Sequence, residues 1–116
     1  PNWMLLYLDT DHNPKTGWQG YDYILNRTGV TPVATTLEYA TGDKYAWQKR
    51  SDVQYRVTGN ELELAIPRGA LRLGSFPATI DFKWADNTRQ PGEAADFTLN
   101  GDAAPNDRFN YRAVLK

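Results

Sequence analysis

Leu5-Leu6-Tyr7-Leu8-Asp9-Thr10-Asp11-His12-Asn13-Pro14-Lys15-Thr16-Gly17-Trp18-Gln19-Gly20-Tyr21-Asp22 carries an apolar run into an acidic, turn-rich loop and out again. The run begins at Trp3 and alternates, with Met4, Leu6 and Leu8 on one face and Trp3, Leu5 and Tyr7 on the other. A short apolar run that ends in turn residues reads as a buried strand. Its aliphatic face belongs to a core. Its second face is too apolar for bare solvent, so something covers it or a ligand meets it. In the loop, Asp9, Asp11 and Asn13 stand at alternate positions, followed by Pro14, Gly17 and Gly20 and then Asp22. Calcium takes roughly six to eight hard oxygen ligands, and oxygens so spaced in a turning loop can converge on one ion. The Lys15 carbonyl and the Asp22 carboxylate extend the set. The candidate metal ligands are therefore Asp9, Asp11, Asn13, Lys15 and Asp22, around a structural calcium. The loop is not an EF-hand, because Pro14 and Gly20 hold the places of that motif's glycine and final glutamate. The plainer reading is a polar turn whose Asp and Asn bond their own backbone.

Outward from the loop the strand signals repeat. Residues 21–26 alternate Tyr21, Tyr23 and Leu25 against Asp22, Ile24 and Asn26, and residues 35–40 set Thr35, Leu37 and Tyr39 against Glu38. Thr41-Gly42-Asp43 reads as a hairpin turn. Residues 44–50 place Tyr45 and Trp47 on one face, Ser51-Asp52 turns, and Val53, Tyr55 and Val57 alternate with Gln54 and Arg56. Gly59-Asn60 is a hairpin dipeptide. The answering strand puts Leu62, Leu64 and Ile66 inside and ends at Pro67, which cannot donate to a ladder. Residues 68–73 predict one or two helical turns, closed by Gly74. Ala78–Asp86 predicts a strand with Ile80, Phe82 and Trp84 on one face. A polar loop over 87–95, a short strand over 97–99, a polar loop over 100–110 and a closing strand over Tyr111–Leu115 follow. Some eight or nine short antiparallel strands with almost no helix predict an all-β sandwich or jelly roll.

The 116 residues fit one domain, 1–116. A net charge of −1 offers no basic surface for nucleic acid. No apolar run approaches the ~20 residues of a membrane-spanning helix. The absence of cysteine excludes thiolate chemistry, disulfides and zinc–sulfur sites. The start at Pro1, on the threshold of a strand and without a signal peptide, is expected of a module cut from something longer. A calcium loop favours a secreted, extracellular setting.

The acidic loop together with Gly59-Asn60-Glu61-Leu62-Glu63-Leu64-Ala65-Ile66-Pro67-Arg68, Phe82-Lys83-Trp84-Ala85-Asp86-Asn87 and Asn100-Gly101-Asp102-Ala103-Ala104-Pro105-Asn106-Asp107 resembles a known family. These segments are similar to the carbohydrate-binding β-sandwiches of the family 9 type and related domains appended to secreted bacterial glycosidases. The resemblance covers most of the chain and implies a non-catalytic module, stabilised by calcium, that holds a catalytic domain against polysaccharide, with β-glucan or plant cell-wall glycan as the ligand class. Domains of that type usually carry strands ahead of the Leu-Leu-Tyr-Leu segment, so sugar contacts are not carried over from them residue by residue.

Candidate sugar contacts come from the aromatic residues, since four Trp and seven Tyr are many for this length. A sugar ring stacks its C–H face on an aromatic face and needs polar partners for its hydroxyls. Trp18 lies in the loop and not in a strand; the alternative is a lid packed on that loop. Tyr45 and Trp47 sit beside Gln48, with core packing as the alternative. Trp84 shares a face with Ile80 and Phe82, which favours core, yet it stands just before Asn87 and Arg89. The candidate set is Trp18, Tyr45, Trp47, Gln48, Trp84, Asn87 and Arg89. No catalytic residue is expected. Glu61 and Glu63, ~7 Å apart along a strand, read as a solvated outer face and not as a glycosidase pair. His12, the single histidine, has no nucleophile arranged with it. The competing reading is a calcium-stabilised structural or interaction domain that packs on a catalytic domain and binds no sugar.

Overall fold

The computed structural model describes residues 5–13, 15–28, 31–58, 61–73, 78–86, 102–104 and 111–115. Within them lie β1 (Leu5–Asp9), β2 (Tyr23–Leu25), β3 (Ala34–Ala40), β4 (Trp47–Thr58), β5 (Glu61–Ala65), a 3-10 turn (Arg68–Leu71), β6 (Ala78–Asp86), β7 (Asp102–Ala104) and β8 (Tyr111–Leu115). The strands form one curled antiparallel sheet in the order β5-β4-β3-β2-β1-β6-β7. β8 pairs with the first half of β6 (Ala78↔Leu115) and β7 with the second half (Trp84↔Ala104), end to end along one edge. The all-β class with almost no helix is as expected. Among the described residues there is a single sheet and not the two facing sheets of a sandwich.

β1 lies inside this order, between β2 and β6, and its side chains divide two clusters. Leu6 and Leu8 join Tyr23, Leu25, Leu37, Val53, Leu71 and Ile80 on the aliphatic face. Leu5 and Tyr7 join Trp18, Tyr21, Ile24 and Ala85 on the aromatic face, with Tyr45 and Trp47 packed against them. The alternation of β1 and the inward face of β6 are thus as expected. Tyr21 is a correction: it leaves the Tyr23 face, because it belongs to a tight turn that precedes β2 and not to the strand itself.

The expected turn at Ser51-Asp52 is also corrected, since β4 runs unbroken through it. Leu37 pairs with Ser51 but Glu38 pairs with Lys49, so Arg50 is an extra residue. Such a bulge shifts side-chain parity, and a one-residue shift exchanges the two faces. Val53 therefore stays with Leu37 in the aliphatic cluster, while Trp47 falls on the aromatic one. The polar loop expected over 100–110 contains the short strand β7. Residue 74 lies outside the described residues, and the left-handed residue that closes the 3-10 turn is Arg72, at φ 59°. The dipeptide 59–60 and the strand expected over 97–99 also lie outside them.

Deleting Arg50 restores simple pairing and drives Trp47 toward the wrong face. Arg50→Ala keeps the bulge and loses only the bonds from its guanidinium to the Gly69 and Ala70 carbonyls. Urea denaturation should show the deletion costing about 3 kcal/mol or more and the alanine variant about 1 kcal/mol.

Candidate functional site

The loop between β1 and β2 is a chain of side-chain-to-backbone turns. The Asp9 carboxylate accepts from His12 N at 2.9 Å, Asp11 from Asn13 N at 3.0 Å, and the Asn13 amide oxygen from Lys15 N at 2.9 Å. Short polar side chains that bond the backbone a few residues on favour turns over strand. Asp22 Oδ2, arriving from the far end of the loop, accepts from Thr10 N at 2.9 Å. The polar-turn alternative describes these bonds well, but the carboxylates also converge. Oxygens of Asp9, Asp11 and Asp22 lie within 4.8 Å of one another.

Thr16 sits at the centre of this group, and its sequence gave no sign of it. Its Oγ1 lies 2.7 and 2.9 Å from the two oxygens of Asp11, 3.0 Å from the Asn13 carbonyl and 3.0 Å from Asp22 Oδ1. One hydroxyl proton cannot serve four acceptors, so several oxygens face one small space without a donor. Asp9, Asp11 and Asp22 are brought together as the spacing predicts. Asn13 presents its backbone carbonyl there, while its side-chain oxygen is taken by Lys15 N. Lys15 is exposed, and its N–H donates to the Asn13 side chain.

Crowding of like charge has a proton counterpart. Burial, with the adjacent Asp11, pushes the Asp9 carboxyl up to about 6. Burial also raises Asp22. For Asp11 burial is outweighed by the Thr16 hydroxyl and the Asn13 N–H, which hold it below the usual range. A protonated carboxyl or a bound cation would each relieve the repulsion. Among the described residues this is the group suited to a hard divalent cation.

Two devices fasten the loop to the sheet. His12, at φ 54°, reaches Asp81 on β6 through Nδ1 (3.2 Å) and the Thr79 carbonyl through Nε2 (2.9 Å). The Thr79 carbonyl first, and then Asp81, favour the protonated ring and raise its pKa. Arg112 of β8 donates to the same Asp81 at 2.8 Å and, with His12, keeps that carboxyl low. The second device is Trp18-Gln19-Gly20-Tyr21. Trp18 N donates to the Tyr21 carbonyl (3.0 Å) and Tyr21 N to the Trp18 carbonyl (2.8 Å), with Gln19 at φ 53° and Gly20 at φ 88°. Positive φ at both central residues is the type I′ turn of tight hairpins. It sets both rings against Tyr7, at centroid distances of 5.5 Å for Trp18 and 5.3 Å for Tyr21.

Trp18 is consequently 3 % exposed. Trp18 therefore presents no open stacking face; it is a lid, placed over the outer face of β1 and not over the loop as the alternative had it. Its edge meets Tyr45 at 4.8 Å, Tyr45 meets Trp47 edge-on at 5.5 Å, and the Tyr45 and Tyr7 hydroxyls lie 3.1 Å apart. Tyr45 and Trp47 remain half-buried and Gln48 is exposed. Trp84 is half-buried against the aliphatic core opposite Leu6, as the face it shares with Ile80 and Phe82 favours. Asn87 and Arg89 lie outside the described residues. Glu38 is buried and held by Arg27 at 2.6 and 2.9 Å.

No family profile, curated protein or solved structure matches the chain. The resemblance carried by the loop and the Ala-Ile-Pro segment therefore rests on short motifs alone.

A Cβ at Gly17 would lie 1.9 Å from the Tyr21 carbonyl oxygen, at a backbone φ of 69°. Gly17→Ala should therefore cost about 2–4 kcal/mol, and Trp18→Ala about 3–5 kcal/mol, both read by denaturant unfolding. In chelator, the raised Asp9 and Asp22 add stability as pH falls through their folded pKa values toward the ordinary carboxylate value. The raised His12 adds stability below its ordinary value and loses it as pH climbs through the folded one. The thermal midpoint should thus be higher at pH 5 than at pH 8, and fall again near pH 3 as Asp11 and Asp81 protonate. Asp9→Asn should flatten the rise.

Proposed function

We propose that the chain is a non-catalytic carbohydrate-binding module of a secreted polysaccharide-active enzyme, with a structural calcium in the Asp9–Asp11–Asp22 loop. The observation that carries this reading is the contact of the loop with the half-open aromatic pair. Trp18, fixed by the loop, is the floor on which Tyr45 packs, and Trp47 meets Tyr45 edge-on. A ring partly open to solvent offers the flat apolar surface on which a sugar's C–H face stacks. Asp9, Asp11, Asp22, the Asn13 carbonyl and the Thr16 hydroxyl would hold the ion, which supplies charge balance and rigidity. β-Linked glucan is the ligand class that the motif resemblance supports, and a β-sandwich or jelly roll is the architecture. A sheet apolar on both faces calls for cover on both, which supports that architecture.

The inward position of Trp18 favours a second reading, a structural domain that docks on a catalytic neighbour and binds no sugar. Affinity electrophoresis against soluble β-glucans separates the two. The module reading requires retardation that Trp47→Phe weakens while the variant stays folded; no retardation by any glucan leaves the structural reading. For the ion, binding to the folded state alone raises stability by about 2.7 kcal/mol at a hundredfold excess over Kd. Calcium should raise the thermal midpoint relative to chelator, and Asp11→Ala should remove that rise. An unchanged midpoint in excess calcium would discard the ion.

A further inference from the structure

Beside the loop, on the aliphatic side of the sheet, opens a cleft of about 470 Å³, within the roughly 300–1,000 Å³ usual for small-molecule sites. Its two walls differ in charge. One wall carries Arg50 and Arg72, with the rings of Tyr23 and Tyr39 between; the other carries the carboxylates of Asp11 and Asp22. Gln48 pairs with Tyr39 across β3 and β4 and stands at its side.

Arg72 is the unusual member. It occupies the left-handed region at φ 59°, where glycine is the ordinary residue. Its backbone N–H closes the 3-10 turn on the Gly69 carbonyl. Its exposed guanidinium has no hydrogen bond or ion pair among the described residues. A left-handed backbone that holds, at the rim of a cleft, a cation unpaired among the described residues points to a ligand. Arg50, fixed at the bulge, gives two N–H groups to the Ala70 and Gly69 carbonyls and keeps others for the cleft.

Phosphate or a similar compact anion would meet the Asp11–Asp22 wall as well as the arginines. A neutral sugar would leave Arg72 unpaired. A ring with a carboxylate at one end and hydroxyls along its length matches both walls: the carboxylate to the arginine fork, the ring to the tyrosines, the hydroxyls to the acidic wall. We propose that this cleft binds a uronic acid residue of an acidic polysaccharide, with Arg72 as the carboxylate clamp and Arg50 as its neighbour. This rests on reading the chain as a sugar-binding module and adds a charged subsite to it.

The test is affinity electrophoresis of the whole chain against polygalacturonate, the same polymer fully methyl-esterified, dextran sulfate and a neutral β-glucan. The proposal expects strong retardation by polygalacturonate, weakened by salt, and roughly tenfold less by the esterified polymer. Arg72→Gly suits the left-handed backbone and should leave the thermal midpoint unchanged or higher, yet abolish the difference between the two polymers. Arg72→Lys should restore it in part. Equal retardation by the acid and its ester, unaltered retardation in Arg72→Gly, or equal retardation by dextran sulfate overturns the uronate site. β-Glucan binding that survives such a result leaves the module reading standing; loss of all glycan binding removes both.

Discussion

The contact of Trp18 and Tyr21 with Tyr7 is the constraint on which the structure depends. β1 is an interior strand with two apolar faces, so neither can be left to water. The aliphatic face finds its partners in neighbouring strands and the 3-10 turn. The aromatic face has no second layer among the described residues except what the loop after β1 brings back. The loop does so by reversing through a type I′ turn, which needs Gly17 and Gly20 where the chain passes close to itself. The bulge at Arg50 serves the same end from the opposite edge, since it re-aims Trp47 toward that face.

Electrostatics and packing meet in this loop. Its carboxylates would repel each other into solvent if the backbone N–H groups and Thr16 did not hold them. His12 then ties the loop to Asp81, across β1 from its other attachment, and Arg112 closes that network from β8. At the other side of the aromatic face, the exposed Arg27 pairs with the buried carboxylate of Glu38. Removing the arginine would leave that carboxylate buried without its cation, the costly way to break such a pair. The polar groups near this face therefore act as anchors for the aromatic rings.

Much of the fold was legible because strand periodicity is local. The bounds of β6 and β8 and the two-faced character of β1 follow from alternation alone. The continuity of β4 does not, because Ser51-Asp52 carries the chemistry of a turn, and only the partner strand shows that the chain bulges. β7, three residues long, is too short to show a period. In the site, Asp9, Asp11 and Asp22 were legible from alternate spacing. Thr16 was not, since a lone hydroxyl has no pattern. Trp18 was misread because Gln19-Gly20 looks like loose loop until both residues are known to have positive φ. The role of His12 depends on Asp81, a residue far along the chain that no local pattern connects to it.

The pairing of β1 with β6 also governs the order in which the protein can assemble. β2, β3, β4 and β5 pair with their sequence neighbours, so that meander can zip as soon as it is made. β1 can add to β2 early, but its other edge waits for Ala78–Asp86. Closing so long a loop costs entropy before its contacts repay it. On the ribosome, an apolar strand with one unpaired edge would thus stand exposed through most of synthesis. The acidic loop at its end, with its charges and turns, is the feature best placed to keep that edge from pairing with another nascent chain.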